Sequence, residues 1–230
     1  MIGIIGAMEE EVSRLTAAMQ EVEVISRASM DFYKGILTGR DAVVVRSGIG
    51  KVNAGICTQL LVDLFRVDQV INTGIAGSLD AAIDIGDIVL STDSLQHDMD
   101  AVAFGYEPGV IPRMPDSVFP ADARLIALAK TACEQVNPEV HVFTGRVVSG
   151  DQFIADKAKK DYLIKQFHPL CTEMEGAAIA QAAYLNKIPY LIIRAISDKA
   201  DDSAHMDYPA FEAAAIDHTV RLVMALVASL

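Results

Sequence analysis

Two short stretches of this 230-residue chain carry side chains able to do acid–base chemistry. In Pro189-Tyr190-Leu191-Ile192-Ile193-Arg194-Ala195-Ile196-Ser197-Asp198, a run of large apolar residues ends in a hydroxyl and a carboxyl. The run is short enough for a strand and dense enough for one buried on both faces. An arginine inside such a strand is costly unless a carboxylate meets it. Upstream, Thr172-Glu173-Met174-Glu175-Gly176 falls at an expected strand end just before a helix, which makes Glu175 a natural partner for Arg194. Two carboxyls, an arginine and a hydroxyl at neighbouring strand ends describe a site for protonating and positioning a small polar molecule.

A third acidic group, Glu9-Glu10-Glu11, follows the apolar Met1–Ala7 stretch. Spacing alone favours a bland explanation, because acids in a helix's first turn are stabilised by the macrodipole. Placement at the end of a first strand argues for a role in chemistry. The loop Ser47-Gly48-Ile49-Gly50-Lys51 is neither a P-loop nor a dinucleotide fingerprint, since its glycine spacing fits neither. His97, Asp98 and Asp100 lack a second ligand cluster at suitable spacing, so a structural role is favoured over a metal.

Composition narrows the class. Apolar residues make up 52% and charged residues 22%, so the chain buries a large core built mainly from aliphatic side chains. Net charge is −12, which repels phosphate backbones and anionic lipid and argues against nucleic-acid and membrane partners. Cys57, Cys133 and Cys171 show no CxxC spacing and are expected to be reduced core residues, as in a cytoplasmic protein. The N-terminus has no basic region before its apolar residues, and no apolar run is long enough for a bilayer span.

Strands must position these groups, and helices must cover the strands. The pattern predicts a strand over 1–7 and a helix to about residue 19. Strands follow near 23–27, 32–37 and 42–46, then a helix over 52–65. A strand over 69–72 is expected to run into a glycine turn, Thr73-Gly74-Ile75-Ala76-Gly77-Ser78. After a strand over 87–92 comes a long irregular segment, 96–115, of the length usual for a lid or an interface. Helices near 121–136, 155–166 and 175–185 alternate with strands over 140–148 and into Glu173. Asp207 is expected to cap the last helix. With no linker or composition break, residues 1–230 read as one α/β domain around a mixed, mainly parallel sheet.

Six motifs in order resemble the 5′-methylthioadenosine/S-adenosylhomocysteine nucleosidases of the nucleoside phosphorylase superfamily. They are Gly6-Ala7-Met8-Glu9-Glu10-Glu11, Ser47-Gly48-Ile49-Gly50-Lys51-Val52, Asn72-Thr73-Gly74-x-Ala76-Gly77, Val148-Ser149-Gly150-Asp151-x-Phe153-Ile154, Glu173-Met174-Glu175 and Arg194-Ala195-Ile196-Ser197-Asp198. The resemblance implies a three-layer α/β/α sandwich, a cytoplasmic homodimer in methionine salvage, no cofactor, no metal, and hydrolysis of the adenine–ribose bond. It implies that Asp198 is the acid protonating purine N7, oriented by Ser197, and that Glu11 activates water. Glu175 would hold the ribose hydroxyls and Arg194 would fix the carboxylates. Phe153 would stack on adenine, Ile154 would read its edge, and Met174 would lie beneath the sugar. Ala76 and Gly77 join the binding set. Met8, Ile49 and Tyr208 would line the 5′ pocket, and Phe104, Tyr106 and Pro112 would reach the neighbouring subunit's pocket. One departure is Ile75, where many relatives have serine; the lost hydroxyl bears on water placement.

Three rivals compete. A purine nucleoside phosphorylase would need cationic groups where Glu11 stands. An aminodeoxyfutalosine nucleosidase would differ only at the 5′ substituent. A non-catalytic nucleoside-binding protein would lack the need for Asp198, Glu11 and Glu175 together.

Overall fold

Strands through the middle of the molecule are apolar on both faces, and helices cover both. The structure, a computed structural model, describes residues 1–201 and 204–230, the side chains of 205–210 excepted. In chain order, β1 (Ile2–Gly6) leads into α1 (Glu9–Ala18), followed by β2 (Gln20–Arg27), β3 (Met30–Leu37) and β4 (Arg40–Arg46). Next come α2 (Lys51–Phe65), β5 (Gln69–Ser78), β6 (Ile88–Gln96), the short β7 (Phe119–Pro120) and α3 (Ala123–Val136). The chain ends with β8 (Val142–Ser149), α4 (Lys157–Phe167), β9 (Cys171–Glu173), α5 (Gly176–Asn186), β10 (Tyr190–Asp198) and α6 (Ala204–Ser229).

Period-two alternation divides the strand side chains between two cores. Ile2 and Ile4 of β1, Ile71 of β5, and Leu191 and Ile193 of β10 face α1, α3 and α6. Ile5, Val70, Ile192 and Ile196 face α2 and α5 on the opposite side. This is the three-layer α/β/α arrangement. Strands β4, β1, β5 and β10 run parallel at its centre. Antiparallel pairs gather in the β2–β3–β4 meander and along β6. Short β9 pairs with both β8 and β5, closing β5, β10, β6, β8 and β9 into a ring.

Two expectations are corrected. The Thr73–Ser78 stretch is no turn: β5 continues through it, paired along β10 from Tyr190 to Asp198. Helix α6 begins at Ala204, ahead of Asp207, so that residue lies inside the helix rather than at its cap. By contrast, Asp122 and Asp156 cap α3 and α4, accepting from Leu125 N at 2.9 Å and Lys159 N at 2.7 Å. The 96–115 segment is irregular apart from one short 3-10 turn, Val102–Phe104.

Candidate active site

At the carboxyl ends of β1, β5 and β10 opens a cavity of about 410 Å³, within the range of small-molecule sites. The loops after β4 and β8, with Thr172, Glu173, Met174 and Glu175 at the end of β9, form its other walls. Parallel strands place their ends at one edge, so groups distant in sequence converge there.

Glu11 enters from the first turn of α1. Its Oε2 accepts from the backbone N–H of Ala7 at 2.6 Å and Met8 at 3.0 Å, while Oε1 accepts from Ile75 N–H at 3.3 Å. The carboxyl is buried, and that burial holds its pKa above the ordinary value, against the opposing pull of Arg194. Glu9 and Glu10 are exposed on the same turn. Asp198 ends β10. Its Oδ2 accepts from Ser197 Oγ at 2.8 Å and its Oδ1 from Ala200 N–H at 2.8 Å. Both carboxyls lie against strand glycines. A Cβ on Gly74 would stand 2.5 Å from Glu11 Oε1, and one on Gly77 would stand 2.7 Å from Asp198 Oδ1. Neither glycine has positive φ, so they serve close approach rather than a turn.

Arg194 does not pair with Glu175. Its Nη2 donates to Glu173 Oε2 and to Asn72 Oδ1, both at 2.5 Å. Glu173 is the last residue of β9, which pairs β5 opposite β10, so the ring brings its carboxylate onto the arginine. Burial alone would lower Arg194's pKa, but the charges of Glu173 and Glu11 raise it. Glu175 instead accepts from Gly50 N–H at 2.7 Å, across the cavity mouth from the loop after β4. Burial first, then the nearby Glu173 charge, pushes its pKa to about 8.

Met8, Ile49, Ala76, Gly77, Phe153, Ile154, Met174 and Ser197 also line the cavity. Ile49 and Phe153 stand at its rim, 55% and 48% exposed. Below the Phe153 loop, Lys51 Nζ donates to Asp98 at 2.5 Å, and Asp98 accepts the Asp151 N–H at 2.9 Å. Phe104, Tyr106 and Pro112 do not line this chain's cavity, and Phe104 is 85% exposed. The Tyr208 side chain lies outside the described residues. Ile75 lines the cavity and joins the core beneath it, so at this position only the backbone N–H meets Glu11.

Sequence reasoning missed Ala7, Gln152, Thr172 and, above all, Glu173 as lining residues. A signal existed for Glu173: an acid shortly ahead of an alanine-rich helix can receive the orphan N–H groups of its first turn. Among the described residues, no three His, Cys, Asp or Glu side chains are grouped as a metal site would need.

Sheet and cavity together define an α/β protein with a carboxylate-lined pocket at the strand ends, of the kind built on nucleoside phosphorylase-like folds. The chain belongs to the phosphorylase superfamily, whose family model matches residues 1–228. It is 43% identical to a 5′-methylthioadenosine/S-adenosylhomocysteine nucleosidase of Staphylococcus carnosus, each chain covered in full. The Neisseria meningitidis nucleosidase of that name, solved with methylthio-immucillin-A, matches with a TM-score of 0.95 and 38% identity over 100% of this chain and 99% of that one. A futalosine hydrolase of Helicobacter pylori matches with a TM-score of 0.94 and 32% identity, covering 100% and 97%.

Proposed function

We propose that the protein hydrolyses the N-ribosidic bond of 5′-methylthioadenosine and S-adenosylhomocysteine, releasing adenine and the thioribose product. Its relatives carry that name, and one observation supports the reading above the rest. Glu11 and Asp198, carried by different elements, share one cavity with Glu175 and an apolar set of side chains. Adenine leaves poorly as an anion, so N7 must gain a proton as the bond to ribose breaks. Asp198 supplies that proton, its carboxyl steered by Ser197 Oγ and Ala200 N–H. The bonding electrons pass to the purine, and the sugar becomes oxocarbenium-like. Glu11 takes a proton from the attacking water, and burial, which raises its pKa above the ordinary carboxylate value, makes it a stronger base for that step. Glu175 accepts from the ribose hydroxyls, Phe153 stacks on adenine, Ile154 reads its edge, and Met8 and Ile49 meet the 5′ thioether.

Phosphate is a poor substitute for water here. Arg194, the buried cation of the site, is engaged by Glu173 and Asn72, and Glu11 would repel a phosphate. We also infer a cytoplasmic homodimer acting in methionine salvage, with Phe104, Tyr106 and Pro112 covering the neighbouring subunit's pocket. The exposure of Phe104 supports that inference. Likeness to the futalosine hydrolase favours a second reading, a nucleosidase accepting aminodeoxyfutalosine. Assaying adenine release from methylthioadenosine in phosphate-free buffer tests the first reading. Full activity is expected, and strict dependence on phosphate would defeat it. Running both nucleosides in parallel ranks the substrates.

A further inference from the structure

Glu173 takes no part in the steps above, yet four donors reach its carboxylate. Arg194 Nη2 donates at 2.5 Å, the backbone N–H of Glu175 at 3.0 Å and of Gly176 at 2.7 Å, and Ser149 Oγ completes the set. Ser149 Oγ in turn accepts from Ala177 N–H at 2.6 Å. One side chain therefore ties together the end of β8, the start of α5 and the arginine of β10. Space is arranged around it. A Cβ on Gly176 would lie 2.7 Å from Ile192 Cδ1 and 3.1 Å from Glu173 Oε1.

We propose that Glu173 is a positioning residue for the ribosyl half of the site, its carboxylate holding the backbone turn that aims Glu175 while anchoring Arg194 beside it. The inference rests on reading Glu175 as the group that holds the ribose. Glu175 is fixed at two points: its N–H by Glu173, and its carboxylate by Gly50 N–H. Hydrogen bonds to sugar hydroxyls strengthen as the bond breaks, so a small misplacement of Glu175 costs rate rather than binding of the base. The charge of Glu173 matters as well as its shape. Charged groups set against Glu175 are Glu173 from β9, Arg194 from β10 and Glu11 from α1, while Asp198 lines the same cavity. Of these, the Glu173 charge most favours the protonated form of Glu175.

Glu173→Gln tests this, because an amide oxygen in the place of Oε2 can still accept from Arg194 and both backbone N–H groups, while the negative charge that holds Arg194 is gone and the amide NH2 faces Ser149 Oγ as a donor in place of an acceptor. Adenine release by the parent protein is measured first, and a parent without activity defeats the nucleosidase reading and this inference with it. With an active parent, E173Q is expected to lose about 10–100-fold in kcat, with inhibition by free adenine changed less than about three-fold. The limb of its pH–rate profile that follows Glu175 is expected to move to lower pH, since a repelling charge is gone. Glu173→Asp keeps the charge, and is expected to lower kcat with that limb unmoved. An E173Q protein that melts earlier but keeps the parental kcat, KM and pH profile overturns the inference and leaves Glu173 a structural ion-pair partner. Should E173Q fail to fold, E173D decides: parental kcat overturns the proposal, and a lower kcat with parental adenine inhibition supports it.

Discussion

In Glu11 one oxygen serves the helix and the other reaches across to β5. Oε2 receives the Ala7 and Met8 N–H groups at the start of α1, while Oε1 meets the Ile75 N–H. Capping and chemistry are thus compatible uses of one carboxyl, which the run of three glutamates in sequence leaves open. Their consequences differ on substitution. Glu11→Gln keeps an oxygen acceptor for the cap, so stability should change by no more than about 1 kcal/mol. As the proposed base it should lose about 10²–10⁴-fold in kcat. Steady-state kinetics beside a melting curve separates the two, and a variant weakened only in affinity would mark Glu11 as a cap alone. Asp198→Asn should bind free adenine nearly as well as the parent and lose a similar factor in kcat. Near-normal turnover would remove Asp198 from the role of acid.

Strand β5 makes room for both carboxyls by having no side chain at Gly74 and Gly77. The two substitutions should behave differently. At Gly74 the nearest obstacle is the end of the Glu11 side chain, which can swing aside, so Gly74→Ala should fold with a loss of about 1–2 kcal/mol, one or two hydrogen bonds' worth. Its kcat should nevertheless fall at least about ten-fold, because the displaced carboxylate no longer meets Ile75 N–H. Activity at the parental level in a folded G74A protein would show that the placement of Glu11 is immaterial. At Gly77 the added carbon would also stand 2.8 Å from Ala200 Cβ and 3.3 Å from its Cα, a contact with backbone that cannot swing away. That variant should lose more stability.

For the molecule as a whole, burying several carboxyls around one arginine ties stability to pH. Glu175 has its pKa raised to about 8 in the folded chain, so between its unfolded value and about 8 the native state holds a proton that the unfolded state has released. Stability from this group is full at low pH and is lost as pH rises through about 8. His97 acts in the opposite sense: burial lowers its pKa to about 4, so its contribution grows between pH 4 and its unfolded value, then stops changing. Melting curves from pH 7 to 8.5 isolate the carboxylate. The parent is expected to lose up to about 1.4 kcal/mol per pH unit there, at most about 3–6 °C in Tm, and Glu175→Gln should flatten the slope. Equal slopes in the two proteins would mean that Glu175 is already ionised at pH 7.

The sequence by itself determined the alternation of strands and helices and the burial of Pro189–Asp198, while the caps at Asp122 and Asp156 emerged only in the structure. Both of the former depend on local patterns: period-two apolar runs and dense aliphatic strands. It also pointed to Glu11, Glu175 and Asp198, which meet in the cavity, because strand ends in an α/β sheet converge on one edge whatever the loops do, though it passed over Glu173. Which carboxylate holds Arg194 was decided only in three dimensions. Glu173 and Glu175 are nearly equivalent in sequence, and only the pairing of β9 and β10 on either side of β5 puts one on the guanidinium and sends the other to Gly50. The glycines of β5 follow the same rule: they look like a turn until Glu11 and Asp198, brought from distant parts of the chain, fill the space their missing side chains leave.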